Sequence, residues 1–191
     1  MAKWLAHAAE HGHDSIVQAL LDAGVKDVKD GNGKTALMHA SQKGHEFIIR
    51  ILLDAGASKD VKSHKGITAL MRASIAGHES CVQTLLDAGA DKDATDDFGW
   101  TALMYGCEKS REACVRILLN AGAKVHKETP AATVRLMAKW LAHAAEHGHD
   151  SIVQVILDAG VKDVKDGNGK TALMHASEKG HESCVQALLD A

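Results

Sequence analysis

The sequence predicts an all-α solenoid of helix–turn–helix units joined by polar loops, and three observations carry that prediction. Gly-His pairs recur at Gly12-His13, Gly44-His45, Gly77-His78, Gly148-His149 and Gly180-His181, with Ser110-Arg111 in the equivalent place. Their spacings of 32, 33, 33, 38 and 32 residues have the size of a repeat array. Met1–Glu46 also returns as Met137–Glu182 with only three changes, Ala19 to Val155, Leu20 to Ile156 and Gln42 to Glu178. Finally, 46% of the chain is hydrophobic but only 3% is aromatic. A core of Ala, Leu, Val and Ile suits thin helices, because small side chains let backbones pack closely.

Each unit reads as a short helix, a Gly break, a second helix and a loop. Unit one opens at Met1-Ala-Lys-Trp4 directly on its first helix, without a preceding loop. Unit two shows the full pattern. Thr35 suits the N-cap of a helix over Ala36–Lys43, its hydroxyl accepting from an orphan amide of the first turn. Leu37, Ala40 and Ser41 fall on one face at i, i+3 and i+4. Gly44 supplies the left-handed residue that ends the helix. A second helix, about Glu46–Ala55, carries Ile48, Ile49, Leu52 and Leu53 on one stripe and ends at Gly56. The polar stretch Ala57–Ile67 turns at Gly66. Helices this short cannot stand alone, so each unit must bury its stripes against its neighbours.

Units three and four continue in register to Asn120-Ala-Gly122. The next segment, AKVHKETPAATVRL, contains the only proline, Pro130. Thr129-Pro130 fits an N-cap followed by the first helical residue. Val134, Met137, Leu141 and Ala144 then recur at i, i+3, i+7 and i+10, predicting one long helix over about Pro130–His147. Its extent would be about 27 Å. The organisation expected is therefore repeats one to four over 1–122, an irregular join over 123–136, and repeats five and six over 137–191. Met137–Trp140 copies the opening of the chain, the mark of a duplication, natural or engineered. The last unit stops at Leu188-Leu189-Asp190-Ala191 without a closing glycine or polar cap. Part of Val185, Leu188 and Leu189 is then expected to be exposed, through truncation of a longer array or for cover by another molecule.

Asp30-Gly-Asn-Gly33-Lys-Thr35-Ala-Leu-Met-His-Ala40, Asp96-Asp-Phe-Gly99-Trp-Thr101-Ala-Leu-Met and the recurring Leu-Leu-Asp-Ala-Gly resemble the ankyrin repeat family. The resemblance covers essentially the whole chain in six in-register copies. It implies an ankyrin-repeat solenoid in which the loops are β-hairpin-like fingers projecting from an L-shaped stack. First helices would line the concave side and second helices the convex side. Two departures stand out. The family's Thr-Pro-Leu-His is Thr-Ala-Leu-Met here, losing a proline favoured at the first helical position. The usual finger Asn is Asp60, Asp93 or His126, which lowers the expectation of asparagine hydroxylation.

Composition excludes several function classes. A net charge of −3 with interspersed signs lacks the clustered basic face that nucleic acid requires. Protonating all 13 histidines would carry the formal charge from −3 to +10, so low pH should affect solubility or stacking. Apolar runs are too short to span a bilayer, and no signal peptide opens the chain. Cys81, Cys107, Cys114 and Cys184 lack CxxC spacing and read as buried thiols of a reducing, cytoplasmic environment.

Two patterns invite chemistry. His7, His11 and His13 return as His143, His147 and His149, and a pair at i, i+4 can ligate one metal. Glu10 and Glu146 sit between them. However, His13 and His149 occupy the Gly-His position, where the ring braces the turn between helices. His7 and His143 align with a variable polar position held elsewhere by His39, Arg72, Tyr105 and His175. With no third ligand at fixed spacing and no HExxH, neither a metal site nor a cofactor is expected. The GNGK of Gly31–Lys34 and Gly167–Lys170 is superficially similar to a phosphate loop. It lacks GxxxxGK[ST] spacing and a preceding strand, so it reads as a hairpin turn. No nucleophile–base spacing supports catalysis, and a non-enzyme is expected.

Binding of a protein, unidentified by the sequence, is the natural function. The family resemblance directs attention to finger tips and to residues just before each Gly-His break. These are Asn32, Lys34, Gln42 and Lys43 in repeat two, and His64, Lys65, Ile67 and Ile75 in repeat three. Repeat four contributes Asp97, Phe98, Trp100, Glu108 and Lys109, and repeat six contributes Asn168 and Lys170. Phe98 and Trp100 flank Gly99, two of six aromatics on one turn, with Tyr105 and Met71 extending the patch. Trp100 is either a binding anchor or a residue packed on the neighbouring finger. The rival reading is head-to-tail self-association through Val185, Leu188 and Leu189, giving a homo-oligomer.

Overall fold

The computed structural model describes residues 2–123 and 131–191, and no strand occurs among them. Six helix pairs follow one another. They are α1 (Ala2–Glu10) with α2 (Asp14–Asp22), α3 (Ala36–Lys43) with α4 (Glu46–Asp54), and α5 (Ala69–Ala76) with α6 (Glu79–Asp87). Then come α7 (Ala102–Glu108) with α8 (Glu112–Asn120), α9 (Ala131–His147) with α10 (Asp150–Asp158), and α11 (Ala172–Lys179) with α12 (Glu182–Leu189). The odd-numbered first helices pack side by side in one layer and the second helices in another, so the core is a continuous seam between the layers. This is the all-α helix–turn–helix solenoid that the repeat period predicts.

Local chemistry places the helix ends where the sequence reading puts them. Thr35 Oγ1 accepts from the Met38 amide at 3.3 Å, and Thr68, Thr101 and Thr171 cap α5, α7 and α11 in the same way. Leu37, Ala40 and Ser41 of α3 are buried, as are Ile48, Ile49 and Leu52 of α4, while Leu53 is half-buried. Burying side chains such as Leu and Ile stabilises by roughly 1.5–3 kcal/mol each. The polar members of the seam are satisfied: Ser41 Oγ donates to Leu37 O at 2.7 Å, and Ser74 Oγ donates to Ala102 O of the next repeat at 2.6 Å.

Gly44 ends α3 with φ +81°, and its lack of a side chain has a second use. A Cβ there would lie 2.7 Å from the His78 ring of the following repeat. That ring fills the space and places Nε2 at 3.2 Å from Gln42 O, donating across the junction. His45 Nε2 reaches Glu10 O at 3.2 Å and His181 Nε2 reaches Glu146 O at 3.1 Å in the same manner. The Gly-His imidazole therefore braces the preceding repeat, where the sequence reading had it bracing its own turn.

The loops have hairpin-like bonding without a strand ladder. Asp30 N donates to Lys34 O at 2.7 Å and Gly33 N to Asp30 O at 2.9 Å; the loops at Ser63, Asp96 and Asp166 close alike. Successive fingers also join, with His64 N to Asn32 O and Asp97 N to Lys65 O, both at 3.4 Å. At the join, α9 runs for 17 residues where the other first helices have seven to nine. Thr129, Pro130 and the Val134 side chain lie outside what is described. Among the described residues, helix α9 lies along α10 and α11 but meets α7 less extensively than α5 does.

Two glycines separate backbone strain from crowding. Gly24 has φ +78° with nothing near its missing Cβ, whereas Gly44 has φ +81° with the His78 ring in the way. Gly24→Ala should cost about 1–2 kcal/mol, the left-handed penalty alone. Gly44→Ala should cost more and should also lose the His78 brace. Urea unfolding of both variants checks the order.

Candidate functional site

The fingers are held by one recurring carboxylate. Asp96 Oδ1 accepts from the Phe98 and Trp100 amides at 2.9 and 2.8 Å, and Tyr105 Oη donates to Oδ2 at 2.6 Å. Asp30 accepts from Asn32 and Lys34 and faces His39 Nε2 at 3.0 Å; Asp166 accepts from Asn168 and Lys170 and faces His175 Nε2 at 3.0 Å. Each carboxylate thus closes its turn and ties it to the first helix of its repeat. The His175 hydrogen bond, followed by the two amides, holds the Asp166 carboxyl below its ordinary value. Burial, followed by the Asp96 bond, pushes the Tyr105 hydroxyl up, so it remains a neutral donor.

Repeat three differs, because Ser63 and Arg72 replace the acid and its partner. Ser63 Oγ accepts only from the Ile67 amide, at 3.2 Å. Arg72 Nη1 instead donates to Gln42 Oε1 of the preceding repeat at 3.2 Å, and its buried Nε has no partner among the described residues. Glu10 lies 3.7 Å from His39 Nδ1 and 3.8 Å from Lys43 Nζ. These contacts link first helices into a polar stripe along one side of the stack.

The sequence-derived candidates divide by exposure. Asn32, Lys43, His64, Lys65, Asp97, Lys109 and Asn168 are exposed, and Phe98 is 70% exposed. Lys34, Gln42, Ile75 and Glu108 are half-buried, and so is Lys170, which donates to Glu178 at 2.7 Å. Two candidates need correction: Ile67 and Met71 are 7% and 0% exposed and belong to the core, because they lie at the junction where the finger meets α5. At the last helix Leu189 is exposed and Val185 half-buried, but Leu188 is core, its face turned onto the stack.

Trp100 is half-buried. Its ring lies 5.0 Å from Tyr105 and 5.3 Å, edge-on, from Trp140 of α9, so it packs on the next first helix and not on a neighbouring finger. Trp140 is the functional neighbour that sequence reasoning missed. Its copy Trp4 is exposed.

The two histidine clusters also separate. His143, Glu146 and His147 have ligand atoms within 4.8 Å of one another. Glu146, which the sequence places between the two histidines, lies close to both. The Gly31–Lys34 and Gly167–Lys170 segments are closed as hairpin turns. All four cysteines are free and buried, as expected, and burial pushes the Cys107 thiol up to about 12 and those of Cys81 and Cys114 up to about 11. No helix among the described residues is long and apolar enough to cross a membrane.

A family model described as ankyrin repeats (3 copies) matches residues 3–63, 58–129 and 138–191. No curated protein matches the chain.

Two outcomes are expected. Trp100→Ala should lower the melting temperature by several degrees, because it removes an aromatic contact spanning repeats four and five, worth about 0.5–1.5 kcal/mol beyond its buried area; thermal unfolding followed by circular dichroism checks it. The thiols should resist iodoacetamide in the native state at pH 8 and react on addition of denaturant, since only the exposed thiolate attacks; intact-mass measurement over time counts them.

Proposed function

Because the chain belongs to the ankyrin repeat family, we propose that it is a non-catalytic scaffold that grips a protein through its first-helix face and finger tips. Ankyrin repeats are generally protein-binding scaffolds. Phe98 is the observation that carries the finer reading: a large apolar ring 70% exposed at the tip of a finger whose backbone is clamped by Asp96. An exposed aromatic on a rigid turn supplies apolar area at little entropic cost, and aromatic residues are enriched in interface centres. Exposed Asp97 and Lys65 on the joined neighbouring fingers provide a polar rim.

Rigidity is the mechanism. Asp30, Asp96 and Asp166 fix each turn before a partner arrives, so binding orders few groups. In this reading the chain is two blocks, 1–122 and 137–191, joined through 123–136; the limited packing of α9 on α7 supports that division. The buried, free thiols fit a reducing compartment such as the cytoplasm.

Phe98→Ala should weaken capture of the partner by tenfold or more, the range of an interface hot spot, with the melting temperature within about a degree of wild type. Quantitative pull-down of wild-type and variant protein against the same extract, followed by titration of the captured protein, measures this. Equal affinities would remove the finger of repeat four from the binding surface.

A further inference from the structure

We propose that His143, Glu146 and His147 form a three-ligand site for a divalent transition-metal cation of the zinc class, built in the second copy of the duplicated segment and broken in the first. The three residues lie at i, i+3 and i+4 near the end of α9, with both histidines exposed. Two imidazoles and a carboxylate with an open fourth position are a donor set that zinc and nickel accept.

The imidazole pair is prepared by its surroundings. The His147 Nδ1–H donates to His143 O at 2.9 Å, which fixes the tautomer and leaves Nε2 as the ligating nitrogen. Metal-bound histidines commonly make this second hydrogen bond.

The first copy serves as an internal control. His7 and His11 repeat the ring pair at the same 4.2 Å centroid distance, and His11 Nδ1 makes the same 2.9 Å bond to His7 O. Glu10, however, is drawn to His39 and Lys43. In the second copy Gln42 has become Glu178, whose carboxylate takes Lys170 at 2.7 Å and is stabilised by the charges of His175 and Lys179. Among the described residues His175 pairs with Asp166, and neither it nor Lys179 forms an ion pair with Glu146, which completes the triad. Ligand atoms on a tetrahedral ion with bonds of 2.0–2.1 Å stand about 3.4 Å apart. Rotation of three surface side chains closes the present spacing.

Zinc titration of tag-free protein against a chromophoric chelator tests the site, with circular dichroism confirming that each variant keeps its helices. One equivalent should bind more tightly than any other. His143→Ala and His147→Ala should weaken it at least tenfold, Glu146→Gln severalfold, and His7→Ala and Glu10→Gln not at all. If Glu146→Gln binds zinc as wild type does, or if Glu10→Gln weakens binding equally, the site as assigned is wrong.

Discussion

The stack depends on a reciprocal fit between the glycine of one repeat and the long polar side chain of the next. A Cβ on Gly12, Gly44, Gly77 or Gly148 would lie 2.7–2.8 Å from His45, His78, Arg111 or His181. In each case the incoming nitrogen reaches the carbonyl two residues before that glycine. The two halves of the Gly-His motif thus serve different neighbours. The glycine ends its own helix and vacates space, and the histidine leaves its own repeat to fill that space. A helix of eight or nine residues would fray alone. Here its orphan carbonyl end is capped by the next unit, so secondary structure and stacking form together.

The fingers extend the same economy outward. One carboxylate closes a turn with two amides and accepts from the first helix, which makes the loop an extension of the helical layer. Repeat three shows what the acid contributes. With Ser63 in its place, Arg72 turns to the preceding repeat and leaves a buried nitrogen without a partner among the described residues. Several polar residues along the first-helix side are consequently committed to one another, while Phe98 stands exposed at its finger tip.

Much of this fold was legible in the sequence, because capping, glycine breaks and apolar stripes are local. Thr35, Gly44 and the stripe of Ile48, Ile49 and Leu52 act as their residue types require. The long helix was legible from its period, ending at His147 as expected. What escaped was everything decided by the adjacent unit. Trp4 and Trp140 have the same local sequence, yet one is exposed and the other meets Trp100. Glu10 and Glu146 are also identical locally, but Glu10 lies against His39 and Lys43 whereas Glu146 groups with His143 and His147. Ile67 and Met71 look like surface residues of a finger and helix start, and burial follows only from how the finger folds back onto α5.

The junction between repeats four and five is where the reciprocal fit is missing. Ser110, with φ +52°, stands where the other units have glycine. His149 accordingly makes no bond to a carbonyl of α7 among the described residues and lies 3.8 Å from Glu112 Oε2 instead. A linear array transmits force and cooperativity only as well as its weakest coupling. This junction is held instead by the Glu112 carboxylate accepting from the Ser151 amide at 3.1 Å and by the Trp100–Trp140 pair. One carboxylate and one aromatic pair thus stand where the other junctions seat a side chain in the space beside a glycine.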